Sequence, residues 1–197
     1  VLAKSGVRAE EIVSLGISGQ MHGLVMLDAD GKVLRRSIIW CDGRTAKECE
    51  EITELVGRDR LMEITKSPAL TGFTASKILW VRKHEPEIYE KCRHILLPKD
   101  YIRYKLTGEF ATEVSDASGM QLLDIPGRCW SDEILEKLNI DKALLAKVYE
   151  SGEYSPLEKE HYVRLVCDAI ELLPPDTVIG RLLSIFPVEG CRTGCKV

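Results

Sequence analysis

The stretch Gly16-Ile17-Ser18-Gly19-Gln20-Met21-His22-Gly23 lies between two short apolar runs, residues 12–15 and residues 24–27. Each run is flanked by glycine and is more typical of a buried strand than of a helix. The three glycines let the backbone adopt positive φ angles or approach a ligand closely. Gln20 and His22 can each donate and accept hydrogen bonds, and Met21 is a flexible apolar neighbour. One interpretation is a binding site for a polyhydroxylated molecule; the other is a glycine-rich turn whose histidine caps a strand.

The composition is that of an ordinary globular protein, with 197 residues, 45% of them hydrophobic and 29% charged. A formal net charge of −4 provides no basic surface, so we expect no nucleic-acid partner. No apolar run approaches the roughly 20 residues of a membrane-spanning helix, and residues 1–6 do not resemble a signal peptide. The seven cysteines lack CxxC spacing, which favours a reduced, cytoplasmic chain. We therefore expect a small-molecule ligand and no membrane partner, and a homo-oligomer stays open.

The hydrophobic pattern predicts an α/β order of elements. Asp30-Gly31 indicates a hairpin after the strand at residues 24–28, with a returning strand at residues 33–34 and 38–40. Thr45 and Glu48 have the spacing of a capping box. Helices are predicted at residues 2–11, 45–56, 75–84, 87–92 and 99–106, the last closed by Gly108, and a short helix or turn at 61–65. Further strands are predicted at residues 12–15, 95–97 and 120–123. The middle of the chain is thus mostly helical.

A second chemically suggestive stretch, residues 109–120, contains Asp116 among small residues. A carboxylate next to serine, alanine and glycine can lie against a ligand and act as a general base for a hydroxyl group. The alternative is that Asp116 caps a helix or a turn. His84, His94 and His161 are interpreted as exposed polar residues near helix ends, and nothing in the sequence indicates a metal site.

Residues 14–156 resemble the N-terminal domain of the FGGY carbohydrate kinase family, in its xylulose kinase branch. The resemblance rests on four stretches in the family's order and at its approximate spacing. They are Gly16–Gly23, Ile39–Arg44, Gly72–His84, and Leu97–Arg103 continuing to Ser115–Gly119. The third fits the family signature, in which a lysine and a tryptophan three positions apart follow a small hydroxylated residue. Met21-His22 narrows the resemblance, because the related glycerol kinases carry charged residues there.

The resemblance implies an incomplete ribonuclease-H-like (actin-like ATPase) domain with a mostly helical insertion. It also implies ATP-dependent phosphorylation of D-xylulose at its terminal hydroxyl, with Mg²⁺ as the companion of ATP. The roles carried over are general base for Asp116 and sugar contacts for Gln20, Met21 and His22. Trp40, Asp42 and Arg44 are expected to support the pocket from behind. Lys77 and Trp80 are expected to be structural, with Trp80 on the buried face of its helix.

Two departures from the family shape the expected domain organisation. No Asp-x-Gly-Thr strand, which handles phosphates and magnesium in this superfamily, precedes Gly16, and the adenosine-binding domain does not follow. We expect residues 1–156 to be a partial sugar-binding domain and residues 157–197 to be an unrelated helical appendage, with one amphipathic helix at 157–173. Residues 161–182 resemble the tail of a radical-SAM protein family, and Cys191 and Cys195 supply only half a zinc site.

These departures predict a kinase fragment that is inactive by itself, with most of the ATP and Mg²⁺ site outside the chain. The other interpretation is a non-catalytic truncated or fused module that at most binds a sugar or a partner chain. The residues alone leave both possibilities open.

Overall fold

The structure is a computed structural model that describes Arg8 and residues 17–148. The chain divides into two units, residues 1–151 and residues 152–197, and all described residues belong to the first. The predicted helix at 2–11, the strand at 12–15, His161 and the whole of residues 157–197 lie outside the described residues.

Helices dominate the middle of the described chain, as the sequence predicts. They are α1 (Ala46–Val56), α2 (Arg58–Thr65), α3 (Thr74–His84), α4 (Pro86–Lys91), α5 (Pro98–Thr107), α6 (Val114–Ser118), α7 (Asp132–Leu138) and a 3-10 helix (Lys142–Leu144). Two proline residues begin helices, α4 and α5, where the missing N–H is not needed. Gly108 closes α5 at φ 78°, a left-handed conformation that suits glycine, so the predicted cap is confirmed.

The strands pair into three small sheets within residues 17–148. They are β1 (Val25–Leu27), β2 (His94–Leu96), β3 (Ala111–Thr112), β4 (Leu123–Asp124), β5 (Cys129–Trp130) and β6 (Lys147–Val148). β1 pairs antiparallel with β2, β4 antiparallel with β5, and β3 parallel with β6. The described residues therefore mix helices and short strands, as an α/β protein does. Whether they belong to a ribonuclease-H-like sheet stays a prediction.

The hairpin at Asp30-Gly31 is confirmed, but its returning strand is reduced to single bridges. Val33 bridges antiparallel to Leu27, and Ile38 bridges antiparallel to Leu24. Gly31 has φ 72° and lies against the Tyr104 side chain. The strand predicted at 120–123 is also shorter, because Gln121 adopts φ 62° and interrupts the extended backbone.

Helix α3 lies at the centre of the fold. Seven of its residues are buried, namely Thr74 to Leu79 and Val81. The sequence predicts an amphipathic helix here, yet the first two turns are covered on all sides. The core around it is apolar, and its fully covered members include Leu24, Met26, Ile52, Ile78, Leu79, Leu97, Ala117 and Ile134. This burial gives α3 a fixed position from which its polar side chains reach the neighbouring loops.

The predicted capping box at α1 is wrong. The Thr45 hydroxyl lies 2.9 Å from the Ser76 hydroxyl instead of capping its own helix. Glu48 is buried, and its carboxylate pairs with Lys83. Thr45 and Glu48 instead find partners, Ser76 and Lys83, on α3, which packs over the start of α1. A local sequence pattern cannot predict such contacts between distant segments.

The prediction for His94 is also wrong. His94 lies in β2 rather than near a helix end, and its half-buried ring stacks on Phe110 with a centroid separation of 3.8 Å. His84 is exposed at the end of α3, as predicted. None of the helices in the described ranges has the length and apolar character that crossing a bilayer requires.

Candidate functional site

The site is organised around His22, which occupies an unusual backbone conformation immediately before β1. Its φ is 63°, in the left-handed region that non-glycine residues seldom adopt. Gly23 follows, and a Cβ at that position would lie 2.6 Å from Cγ of Pro98. The first turn of α5 therefore packs so closely against this loop that only glycine fits.

The carbonyl oxygen of His22 accepts two hydrogen bonds from α3. Nζ of Lys77 donates to it over 2.7 Å, and Oγ1 of Thr74 over 3.2 Å. Nζ of Lys77 also donates to the carbonyl of Gly72 over 2.6 Å. The loop before β1 and the turn before α3 are thus joined through one ammonium group.

Lys77 is fully buried, with 0% of its surface exposed. None of the ion pairs found among residues 17–148 includes it. Burial disfavours the ammonium form and lowers the pKa of Lys77 to about 8, although the charge of Asp42 partly opposes this. Lys77 is therefore a buried residue whose ammonium group supports the backbone of His22.

The imidazole of His22 lies between Phe73 and Gly119. The ring centroids of His22 and Phe73 are 4.9 Å apart. A Cβ at Gly119 would lie 2.2 Å from Cδ2 of His22 and 2.3 Å from Nε2. The ring therefore fills the space that a side chain at Gly119 would take, directly after α6.

Asp116 lies in the first turn of α6, but it is not the cap. The cap is Glu113, whose carboxylate accepts hydrogen bonds from the backbone N–H groups of Ser115 and Asp116 over 2.8 and 2.9 Å. The interpretation of Asp116 as a capping residue is therefore wrong, because Glu113 stands at the position where a cap can bind the free N–H groups.

Lys99 connects the two carboxylates. Its Nζ lies 2.7 Å from Oδ2 of Asp116 and 2.9 Å from Oε1 of Glu113. Burial alone would lower the pKa of Lys99, but the hydrogen bonds to Asp116 and Glu113 outweigh it and raise that pKa. For Glu113, burial acts to raise the pKa, and the hydrogen bonds from Ser115 and Lys99 lower it overall.

His22 and Asp116 are brought to the same region of the fold. Burial and then the positive charge of Lys77 lower the pKa of His22, whereas the negative charge of Asp116 acts to raise it. Both residues lie next to Gly119: a Cβ there would lie 2.2 Å from Cδ2 of His22 and 3.4 Å from the carbonyl oxygen of Asp116.

 The backbone of residues 116–119 and the loop at His22 thus face each other, although nearly a hundred positions separate them in the chain.

The other predicted sugar contacts border this region. Gln20 and Met21 are both half-buried. Oε1 of Gln20 lies 3.3 Å from the position that a Cβ would occupy at Gly23. Both residues therefore stand at the edge of the loop that carries His22.

The residues expected to support the pocket from behind differ in how far they are buried. Trp40 is 55% exposed, so it is not a buried support, because its side chain leaves the core while its carbonyl stays near Gly72. Asp42 and Arg44 form an ion pair over 2.8 Å. Trp80 is half-buried rather than covered, since the Arg44 guanidinium and the His84 ring lie against it at 4.8 and 4.5 Å.

Sequence reasoning missed four residues of this region, namely Thr74, Lys99, Asp100 and Gly119. Asp100 is 2% exposed, and its Oδ2 has no hydrogen-bond partner among the described residues. Burial raises the pKa of Asp100. Lys99 and Asp100 lie in Leu97–Arg103, a stretch that carries part of the family resemblance. The resemblance could therefore have identified them as candidate site residues.

Within residues 17–148 no group of three or more His, Cys, Asp or Glu side chains could hold a metal ion. The carboxylates of Asp116 and Glu113 are both engaged by Lys99. We therefore assign neither Mg²⁺ nor ATP to residues 17–148.

Two family models match the sequence. The N-terminal domain of the FGGY family of carbohydrate kinases matches residues 1–164. The Radical_SAM C-terminal domain matches residues 138–196, a smaller part of the chain that overlaps the first match.

Individual proteins give the same likeness. The chain is 48% identical to the xylulose kinase of Lactococcus lactis over 144 residues, which is 73% of this chain and 28% of that protein. It is 45% identical to the xylulose kinase of Escherichia coli, over 73% of this chain and 29% of that protein. The chain thus spans less than a third of the length of these curated relatives.

Solved structures agree in fold. The crystal structure of a xylulose kinase from Brucella ovis superimposes with a TM-score of 0.66 at 40% identity, over 71% of this chain and 28% of that one. The ligand-bound xylulose kinase from Lactobacillus acidophilus gives a TM-score of 0.62 at 26% identity, over 74% of this chain and 30% of that one.

Proposed function

The chain belongs to the FGGY family of carbohydrate kinases, and we propose that it forms the sugar-binding side of an enzyme that phosphorylates D-xylulose with ATP. The observation that carries this proposal is the approach of His22 to the segment that holds Asp116, at Gly119. The identity to xylulose kinases supports the choice of sugar. We further propose that the described residues are part of an incomplete ribonuclease-H-like domain.

His22, with Gln20 and Met21 beside it, is proposed to contact the sugar. A ketopentose presents several hydroxyl groups, so its site needs both donors and acceptors. The pKa of His22 is lowered, mainly by burial, so the imidazole is neutral at pH 7 and offers one donor and one acceptor nitrogen. A neutral imidazole therefore suits a sugar hydroxyl, which can both donate and accept a hydrogen bond.

Asp116 is proposed to be the general base for the attacking hydroxyl, as the family resemblance implies. Its ion pair with Lys99 fixes the direction of the carboxylate, because Nζ of Lys99 lies 2.7 Å from Oδ2. The role therefore requires that the second oxygen of Asp116 reach the hydroxyl while Lys99 holds the first.

ATP is proposed as the phosphoryl donor on the family relationship alone. Phosphoryl transfer depends on positioning and on stabilisation of the charge on the transferred group. What the described residues contribute is binding and orientation of the sugar, with one carboxylate directed at its hydroxyl.

A coupled ATP-consumption assay with D-xylulose tests the proposal at two levels. The 197-residue chain is expected to bind the sugar without turnover. A chimaera in which this chain replaces the matching part of the L. lactis enzyme is expected to be active. In that chimaera, Asp116→Asn is expected to lower kcat by about 10²–10⁴-fold, the usual contribution of a general base, with KM little changed.

The same assay identifies the alternatives. If Asp116→Asn leaves kcat within a few-fold of the parent, Asp116 is a positioning residue for its helix and the base lies elsewhere. If the chimaera folds and binds no sugar, the chain is a non-catalytic module and the proposed function is wrong.

A further inference from the structure

His22 holds a backbone conformation that needs support. A histidine at φ 63° is strained relative to the common regions, and such a conformation persists only where neighbouring groups fix it. The loop around it is rich in glycine and contributes little stiffness of its own. The support must therefore come from outside the loop.

That support is available from α3 and the turn before it. The carbonyl of His22 accepts from both Lys77 and Thr74, and Lys77 also holds the carbonyl of Gly72. Both donors belong to the buried part of α3, so they cannot move without disturbing the core. Two hydrogen bonds thus tie the His22 loop to the buried part of α3, and the third joins Lys77 to the turn before that helix.

The burial of Lys77 is unfavourable in itself. A fully buried ammonium group outside any ion pair of residues 17–148 costs free energy that an apolar side chain would avoid. The lowered pKa of Lys77 reflects this cost of burial. A pKa of about 8 still leaves the ammonium group charged at pH 7. A packing role alone does not account for a charge at this position.

We propose that Lys77 and Thr74 are positioning residues that clamp the carbonyl of His22, fix its left-handed backbone and so direct its imidazole toward Gly119 and Asp116. The expected effect of this clamp is to set the affinity for D-xylulose, and only that effect rests on the proposed function. Neither residue is expected to touch the sugar itself.

The clamp is tested by measuring the coupling between His22 and Asp116 in the full chain. The imidazole pKa of His22 is followed by NMR, and its signal is identified among the four histidines by its loss in His22→Gln. Asp116→Asn is expected to lower the pKa of His22, because the carboxylate stabilises the charged imidazole. In the Lys77→Met background, the same substitution is expected to cause less than half of that shift.

Lys83→Met is the matched control, since Lys83 is a lysine of the same helix whose partners are Glu48 and Glu51. The coupling is expected to persist there in full. An undiminished effect of Asp116→Asn in folded Lys77→Met protein overturns the proposal. Should Lys77→Met fail to fold, Thr74→Val removes the second donor, and undiminished coupling in Thr74→Val overturns the proposal in the same way.

Sugar binding separates this inference from the proposed function. Lys77→Met is expected to weaken D-xylulose binding about tenfold, the size that loss of one well-placed hydrogen bond produces. If the parent chain binds no D-xylulose, the proposed function fails, and the pKa coupling still decides whether the clamp exists. If the sugar binds equally well to Lys77→Met, the clamp has no consequence for the site and the inference is wrong.

Discussion

Nζ of Lys99 lies 2.7 Å from Oδ2 of Asp116, and this ion pair joins the first turn of α5 to the first turn of α6. The same ammonium reaches Glu113, the residue that caps α6. One cation therefore serves two carboxylates that would otherwise repel each other. The position of Asp116 depends on Lys99 as much as on its own helix.

Lys99→Met is expected to lower the free energy of unfolding by about 2 kcal/mol at pH 7, measured by urea denaturation. The side chains of Lys99 and Asp116 are only 18% and 21% exposed, so the ion pair lies between the exposed and buried cases. Lys142→Met is the control, because its ion pair with Asp132 is exposed. That control is expected to change stability by less than about 0.5 kcal/mol, and equal effects of the two substitutions would contradict the prediction.

Glu113 is expected to make stability depend on pH in the acidic range. Its folded-state pKa is lowered from 4.5, so its contribution is present above about pH 4.5 and is lost as the pH falls through the folded pKa. Glu113→Gln should therefore destabilise the chain more at about pH 6 than at about pH 3. Glu54→Gln, on the exposed side of α1, gives the baseline. A penalty for Glu113→Gln that stays constant over this range would refute the assignment.

The contribution of Asp100 to stability is expected to have the opposite pH dependence. Burial raises its folded-state pKa above 3.8, so the folded state holds the proton more tightly and this group favours folding less as the pH rises. Asp100→Asn removes the charge but keeps the shape. Relative to the parent, this variant should gain unfolding free energy between about pH 4 and pH 7, measured by urea denaturation. No change in that difference would show that Asp100 is not a buried acid of this kind.

Gly119→Ala is expected to displace the His22 ring and to weaken D-xylulose binding at least about tenfold. The backbone at Gly119 has φ −76°, which alanine adopts readily, so the effect comes from the methyl group and not from strain. Its carbon would lie 2.2 Å from Cδ2 of His22. Titration calorimetry measures the affinity, and Gly43→Ala is the control, because a methyl group there meets no atom within 4 Å. Equal affinities for the two variants would place the sugar away from the imidazole.

The helices with clear boundaries could be predicted from the sequence. α5 begins at a proline and ends before Gly108, and both signals act within the helix itself. The apolar spacing predicts α3 but not its near-complete burial. Local chemistry decides where a helix begins and ends, whereas packing decides how much of it is covered.

The candidate site could be predicted only through the family resemblance. His22 and Asp116 have no local pattern that relates them, and the residues alone left each with a structural alternative. The partners that support them, Lys77 and Lys99, belong to helices elsewhere in the chain. A buried lysine that binds two carbonyls is not visible in sequence, because lysine is normally exposed.

The central claim is that His22 belongs to a site for D-xylulose, and titration calorimetry of the sugar into the 197-residue chain tests it most directly. We predict saturable binding that His22→Ala weakens at least about tenfold, while His84→Ala, an exposed histidine at the end of α3, leaves it unchanged. Absence of binding by the folded chain, or equal binding by the two histidine variants, would contradict the account.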